Sequence, residues 1–328
     1  MIDPEKLAAL AGNVLAEAHI PELPKHYRGK VRDNYDLPDG RRIIIASDRV
    51  SAFDVNLGAI PCKGQVLTQI ARFWFEQTRD ICPNHVLEYP DPNVVVCRTL
   101  RMMPVEIVVR AYLAGATSTA VLTMYKTGQR EIYGHLFPEG MRDNQKLERP
   151  IITPTTKGDQ GAHDEPLSAA DIVKRGLLKA EIWNEVREKA LTLFARGQKI
   201  AHQRGLILVD TKYEFGFAED GSIVLADEIH TPDSSRYWVE KSYQTRFEAG
   251  EVPERLDKDF IRSWVAARCD PYKDKIPEIP PDVILDAAKV YIDVYERMTG
   301  KDFTLPDPNL PVLDRIRGNL KKYFPRRP

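Results

Sequence analysis

The sequence has 328 residues, of which 43% are hydrophobic and 29% charged. That is the composition of an ordinary globular protein long enough for two domains, and 47 Lys and Arg against 48 Asp and Glu leave a net charge of −1, which argues against a general binder of nucleic acid or another polyanion. No apolar run reaches the ~18 residues of a membrane-spanning helix, and cysteines at 62, 82, 97 and 269 with no CxxC spacing argue for reduced thiols in a cytoplasmic protein rather than a zinc site or disulfide framework.

Residues 1–20 carry acids, lack a basic leader and put Leu7, Leu10, Val14 and Leu15 on one side of a helix. They read as an amphipathic helix, not a secretory signal. In YRGKVRD, residues 27–33, Gly29 stands beside Lys30 and Arg32. Glycine lets the backbone approach a phosphate while the cations supply charge. The GxxxxGK[ST] pattern is absent, and an ordinary basic turn is the simpler account of this motif alone. Residues 42–46 and 94–97 are short buried strands, with a helix over 65–79 between them. After the first strand, Ser47, Asp48 and Arg49 suit either recognition of a small zwitterion or local turn bonding.

Pro104 precedes a third strand, 105–110. A hinge near 100–106 sets the expected boundary between a sheet-rich lobe, 1–103, and a mixed lobe, 104–328. Gly, Pro, Asp and Thr crowd residues 134–167, which read as mostly loop. Within it, 153–166 is the expected lid, with Lys157 and His163 closing over an anionic substrate. Ser168, followed three residues later by Asp171, marks a helix start, and helical sequence runs with interruptions to Arg204. Strands over 206–217 and 222–228 follow, then helices near 255–268 and 282–299 and a tail rich in Pro and Arg.

Asp220-Gly221 between apolar runs signals a hairpin. A two-residue loop pairs Glu219 with Ser222 and sets Glu214 directly opposite Asp227, with Cβ atoms ~4.5–5.5 Å apart. Like charges so placed repel. A divalent cation between them removes the conflict, and oxygen-only donors suit Mg²⁺; a solvated face of mixed charge is the alternative. Alternation also puts Asp210, Lys212 and Glu214 on one strand face. Arg236 follows in DSSRYW, where it suits a bidentate grip on phosphate or carboxylate, although the same segment suits a cap.

The segments GKVRDNYDL, ASDRVSAFDV, EIVVRAYLAG, TPTTKGDQGAHDE, LILVDTKYEFG and LADEIHTPDSSRYW stand in that order. Together they resemble the SAICAR synthetase family over roughly residues 20–300. The resemblance implies an α+β, two-lobed fold whose N-lobe antiparallel sheet is related to those of protein kinases and ATP-grasp enzymes. It implies a ligase of purine biosynthesis that uses ATP and Mg²⁺, through an acyl phosphate, to join L-aspartate to carboxyaminoimidazole ribonucleotide (CAIR). Both partners are small molecules; neither nucleic acid nor a membrane is expected. By position, Gly29, Lys30 and Arg32 match a strand at the ATP phosphates, and Glu106 falls in the hinge that meets adenine. Glu214 and Asp227 match metal-binding acids. Arg110 and Arg236 match the grip on the ribonucleotide phosphate, Asp210 and Lys212 match groups near the reacting carboxylate, and Lys157 matches a lysine near the nucleotide phosphates. Ser47, Asp48 and Arg49 match a segment near the aspartate site. Asp210 and Asp48 are both candidates to accept the proton of the aspartate amine.

Two departures stand out. Many relatives have Gly-Ser after the arginine strand, where this chain has Gly115-Ala116-Thr117-Ser118. The phosphate-binding hydroxyl therefore falls to Thr117 or Ser118, or is missing. Arg32 replaces a lysine found in some relatives. A small-molecule kinase on the same frame is the rival, but HRD…N and DFG are absent. A nucleotide sensor without catalysis has no need of both Glu214 and Asp227.

Overall fold

The structure, a computed structural model, describes residues 3–24, 26–53, 55–157 and 164–325. The chain divides into two units, Met1–Phe73 with His85–Thr99 and Leu256–Pro328, and Trp74–Asn84 with Leu100–Arg255. The expected division into 1–103 and 104–328 falls close to the Thr99–Leu100 step, but two segments belong elsewhere. Residues 74–84 join the second unit through Leu225 N–H donating to the Pro83 carbonyl at 2.8 Å and Arg196 pairing with Asp80 at 2.8 Å. Residues 256–328 join the first unit.

The first unit begins with α1 (Pro4–Ala8), capped by Asp3. It is far shorter than the expected helix, yet Leu7, Leu10 and Leu15 are all buried. The strands β1 (His26–Arg28), β2 (Arg32–Asp36) and β3 (Arg41–Ala46) follow, then the pair β4 (Arg49–Ala52) and β5 (Val55–Ala59). Helix α2 (Lys63–Gln77) precedes β6 (Val86–Asp91) and β7 (Val94–Arg98). The main sheet is antiparallel in the order β1-β2-β3-β7-β6. Ile43 and Ile45 of β3 and Val94 and Val96 of β7 send alternate side chains into one core, as period-2 geometry requires.

The second unit is built on β8 (Arg101–Tyr112). What the sequence suggested was a hinge is the start of this long strand. Pro104 is accommodated there because the β8–β12 pairing breaks register beside it, between Glu214 and Gly216, where a missing ladder N–H is tolerated. Helix α3 (Val121–Lys126) and the short strands β9 (Glu131–Ile132) and β10 (His135–Leu136) lead to β11 (Lys146–Thr156). The expected loop of 134–167 is thus largely strand: β11 pairs with β8 from Thr156↔Val105 to Lys146↔Tyr112, interrupted by a bulge. The expected lid at 153–166 is strand up to Thr156, and residues 158–163, with His163, lie outside the described residues.

Ser168 and Asp171 form the expected capping box on α4 (Ala169–Lys174). Helix α5 (Ala180–Gln203) buries Trp183, Val186, Ala190, Leu193, Phe194, Gly197 and Ala201, a stripe at helical spacing, and packs on β12 (Leu206–Phe217). The sheet runs β11-β8-β12-β13, with β13 at Ile223–Ala226, and β14 (Ser235–Val239) pairs the other half of β12. A bulge between Leu208 and Asp210 shifts the alternation, so Leu208 and Tyr213 both face α5 and His230 while Asp210, Lys212 and Glu214 share the opposite face.

After α6 (Glu240–Glu248) the chain returns to the first unit as α7 (Asp259–Ala266), α8 (Pro281–Thr299) and α9 (Val312–Asn319). Val312, Ile316 and Leu320 close the core beneath β3 and β7. That burial is why the tail belongs with the first strands. Among the described residues no helix is long and apolar enough to cross a membrane.

Candidate active site

Register brings the candidate residues of the second unit together in rows across one sheet face. Ile151, Arg110, Asp210 and Arg236 form one row, Thr153, Val108 and Lys212 the next, and Thr155, Glu106 and Glu214 the third. In the first row Asp210 Oδ2 accepts from Arg110 Nη1 at 3.0 Å and Arg236 Nη1 at 2.6 Å. Arg110 Nε donates to Thr153 Oγ1 at 2.9 Å. All three charged groups are buried or nearly so, and burial pushes Arg110 below its ordinary pKa against the pull of Asp210. Removing one partner from such a set costs about 3–5 kcal/mol. Gly115, in the left-handed region at φ 105°, makes room beside this row: a Cβ there would lie 2.6 Å from Ala120 Cβ and 3.5 Å from Arg236 Nη2.

In the third row two carboxylates face each other directly, Glu106 on β8 and Glu214 on β12. Lys212 Nζ donates to Glu106 Oε1 at 2.8 Å and to Glu214 Oε1 at 2.7 Å. Lys157 binds the other oxygen of Glu214. Burial raises the pKa of Glu106, with Lys212 opposing and Glu214 adding to the rise. Glu214 is also raised by burial, but the Lys212 and Lys157 ammoniums outweigh it and hold the carboxyl far below the ordinary range. Burial alone would lower Lys212; the two carboxylates reverse that and hold it above its ordinary value.

The expected pairing of Glu214 with Asp227 is corrected by the register. Glu214 lies opposite Ala226 and Phe217 opposite Ile223. Ala218 N–H donates to the Ser222 carbonyl at 3.0 Å, so the loop holds three residues, Glu219 to Gly221, with Gly221 left-handed at φ 83°. Asp-Gly suits this three-residue loop as well as the two-residue one, and one extra residue shifts every pair. Asp227 follows the end of β13 with φ 63°, which takes its side chain out of the strand's alternation. Among the described residues no group of three His, Cys, Asp or Glu is placed to hold a metal ion. Mg²⁺ commonly takes only one or two carboxylates and completes its shell with water and phosphate. Glu214 and Asp227 carry oxygen donors of the kind Mg²⁺ takes, and Glu214 already holds two ammoniums.

In the first unit, β1 and β2 form a tight hairpin. Gly29 N–H donates to the Arg32 carbonyl at 2.7 Å, leaving Lys30 and Val31 at the tip. A Cβ at Gly29 would sit 3.2 Å from the Arg32 carbonyl oxygen. Ser47, Asp48 and Arg49 are buried and engaged by the chain itself. Ser47 Oγ donates to the Val31 carbonyl at 2.7 Å. Asp48 accepts from Leu15 N–H at 2.7 Å and Gly64 N–H at 2.9 Å. Arg49 donates to the carbonyls of Ala16, Gly29 and Lys30 and to Asp33. Arg49 and Ser47 thereby tie down the Gly29–Arg32 hairpin. Ser118 is exposed in the turn before α3, and Thr117 Oγ1 lies 3.4 Å from Thr119 Oγ1.

Sequence reasoning missed Thr153 as a support for Arg110, and it put Glu106 at a hinge. The alternation that grouped 210, 212 and 214 also puts 106 with 110 on one face of β8, and that was the available signal.

A sheet face carrying paired arginines beside a lysine–carboxylate cluster defines an enzyme that handles anionic, phosphorylated substrates. The family model for SAICAR synthetase matches residues 25–279. The chain is 62% identical over 310 residues to a Mesorhizobium japonicum protein with the provisional name phosphoribosylaminoimidazole-succinocarboxamide synthase 2, covering 94% of this chain and 99% of that one. It is 50% identical over 311 residues to the phosphoribosylaminoimidazole-succinocarboxamide synthase of Legionella pneumophila, covering 94% and 98%. It is similar to the solved SAICAR-synthase from Saccharomyces cerevisiae complexed with SAICAR, at 31% identity and TM-score 0.76 over 88% of this chain and 99% of that chain. A SAICAR synthetase solved in complex with ADP is 26% identical, with TM-score 0.64, over 85% and 100%. The chain belongs to the SAICAR synthetase family.

Proposed function

We propose that this chain joins L-aspartate to the carboxylate of CAIR at the expense of ATP, yielding SAICAR, ADP and phosphate in the cytoplasm. The names of its relatives and the SAICAR and ADP bound to two similar structures support the reading. The observation that carries it is the sheet face on which the Arg110–Asp210–Arg236 row lies four residues along the strands from Glu106 and Glu214, with Lys212 between them.

A carboxylate resists attack by an amine because oxide is a poor leaving group, and phosphorylation supplies a better one. The site must then hold two anions together, a task of positioning and electrostatics. Arg110 and Arg236 present planar forks to the ribonucleotide phosphate, with the hydroxyl of Thr117 or Ser118 as an additional donor. Asp210 holds both arginines in place. Lys212 and Lys157 supply positive charge near the reacting oxygens, and Gly29, Lys30 and Arg32 serve the ATP phosphates. Glu214 and Asp227 would hold Mg²⁺, which when bound offsets charge on the nucleotide phosphates.

Purified protein should release ADP only when CAIR, aspartate and ATP are all present, with one SAICAR, identified by mass, per ADP. ADP release that ignores aspartate would instead favour a kinase reaction.

A further inference from the structure

The proposed reaction gives Glu106 no chemical role, although it is among the most constrained charges of the site. It stands directly across the sheet from Glu214, and the two side chains are only 13% and 9% exposed. Carboxylates opposed in this way destabilise a strand pair unless a cation lies between them. Lys212 fills that place, with Nζ at 2.8 Å from Glu106 and 2.7 Å from Glu214. The two acids are not equivalent. Glu214 also binds Lys157, and it is the one proposed to receive a metal ion. A cation reaching Glu214 competes with Lys212 for the same carboxylate. A lysine that loses one anchor regains the freedom of its long side chain.

We infer that Glu106 is a positioning residue: it keeps the Lys212 ammonium on the site face when Glu214 turns to a cation, and it does not contact adenine. The inference rests on the reading that Lys212 and Glu214 serve the reaction. Glu106 belongs to β8, which is paired on both sides by β11 and β12, so the anchor is fixed by the sheet ladder rather than by a loop.

Glu106→Gln keeps the shape and one acceptor oxygen but removes the charge. It is expected to lower kcat about tenfold and leave KM for ATP and for CAIR within about threefold. Glu106→Asp, with the charge on a shorter arm, should recover part of the loss, and it replaces the Gln variant if that variant melts early. The discriminating measurement is a cycle with Lys212→Met followed in single turnovers. Without Lys212, Glu106→Gln should add less than about twofold, because the two act as a unit. A readout independent of turnover is ADP binding by calorimetry at graded Mg²⁺. The half-saturating Mg²⁺ concentration should rise about threefold in Glu106→Gln, since Lys212 then rests on Glu214 alone. Equal losses with and without Lys212, wild-type turnover in Glu106→Gln, or a change confined to KM for ATP would each overturn the inference while leaving the ligase reading intact. Wild-type turnover in Lys212→Met would instead remove the reading beneath it.

Discussion

One oxygen of Asp210 accepts from two buried or nearly buried arginines, and under the proposed function it holds both in place for the ribonucleotide phosphate. Asp210→Asn should loosen both forks at once, because a carboxamide offers a neutral oxygen on one side and an N–H that faces guanidinium donors on the other. The expected result is a rise of about tenfold or more in KM for CAIR, with KM for ATP within about threefold. Steady-state kinetics with each substrate varied in turn checks it. A pure fall in kcat at unchanged KM for CAIR would restore Asp210 as the base. Asp48, the other candidate base, is held by two backbone N–H groups inside the first unit. At this scale the sequence was partly legible. Alternation correctly grouped Asp210, Lys212 and Glu214, and the resemblance picked out Arg110 and Arg236. The partners of each charge were not legible, because they depend on register between strands about a hundred positions apart in the sequence, as in Arg110 with Asp210.

Helix α2 shows how an element can depend on a residue outside it. Its first turn has Gly64, whose N–H donates to Asp48 Oδ1, and a Cβ on Gly64 would lie 2.1 Å from the Ala46 carbonyl oxygen. The helix therefore starts hard against the end of β3, with Asp48 accepting from its first turn in the manner of a cap. Burial pushes Asp48 up to about 6, although the Leu15 and Gly64 N–H groups resist the rise. The folded carboxyl thus holds its proton more tightly than the unfolded one. Its ionisation costs stability above about pH 6, and that cost is relieved as pH falls toward the unfolded value, by up to about 3 kcal/mol. His230 acts with the opposite sign, since burial lowers it to about 3 and acid favours the unfolded chain. Comparing wild type with Asp48→Asn isolates the first effect. Thermal melts between pH 7.5 and 5 (~ two steps either side of the transition) should show wild type gaining on the variant as pH falls. Parallel profiles would mean that Asp48 does not titrate there. Periodicity located α2, β3 and β7 from sequence, whereas the three-residue loop at Glu219–Gly221 was illegible because Asp-Gly serves two loop lengths with opposite consequences for register.

The first unit is closed by residues from both ends of the described chain. Asn13 donates to the carbonyls of Asp307 and Leu310 and accepts from Val312 N–H. Arg315 pairs with Asp91 at 3.0 Å, and Asn319 donates to the same carboxylate at 2.7 Å. Between these polar ties, Val312, Ile316 and Leu320 bury against Ile43, Ile45, Val94 and Val96. None of this was legible in the tail itself, which reads locally only as a stretch rich in prolines and arginines; its apolar face acquires meaning only from strands more than two hundred positions earlier. The family match ends at residue 279, and the sequence resemblance, which runs to about residue 300, assigns nothing to the tail beyond it. The packing makes a quantitative demand. Ile316 is fully buried, and Ile316→Ala should cost about 2–5 kcal/mol, from lost transfer energy plus the cavity left behind. Arg317→Ala, one position on, removes only an exposed pair with Glu22 and should cost less than about 1 kcal/mol. Urea denaturation of both variants, monitored by an optical probe of the first unit, checks the contrast. Equal midpoints for Ile316→Ala and wild type would mean that α9 does not close this core in solution, and the tail would then have to be removable without exposing the β3–β7 face.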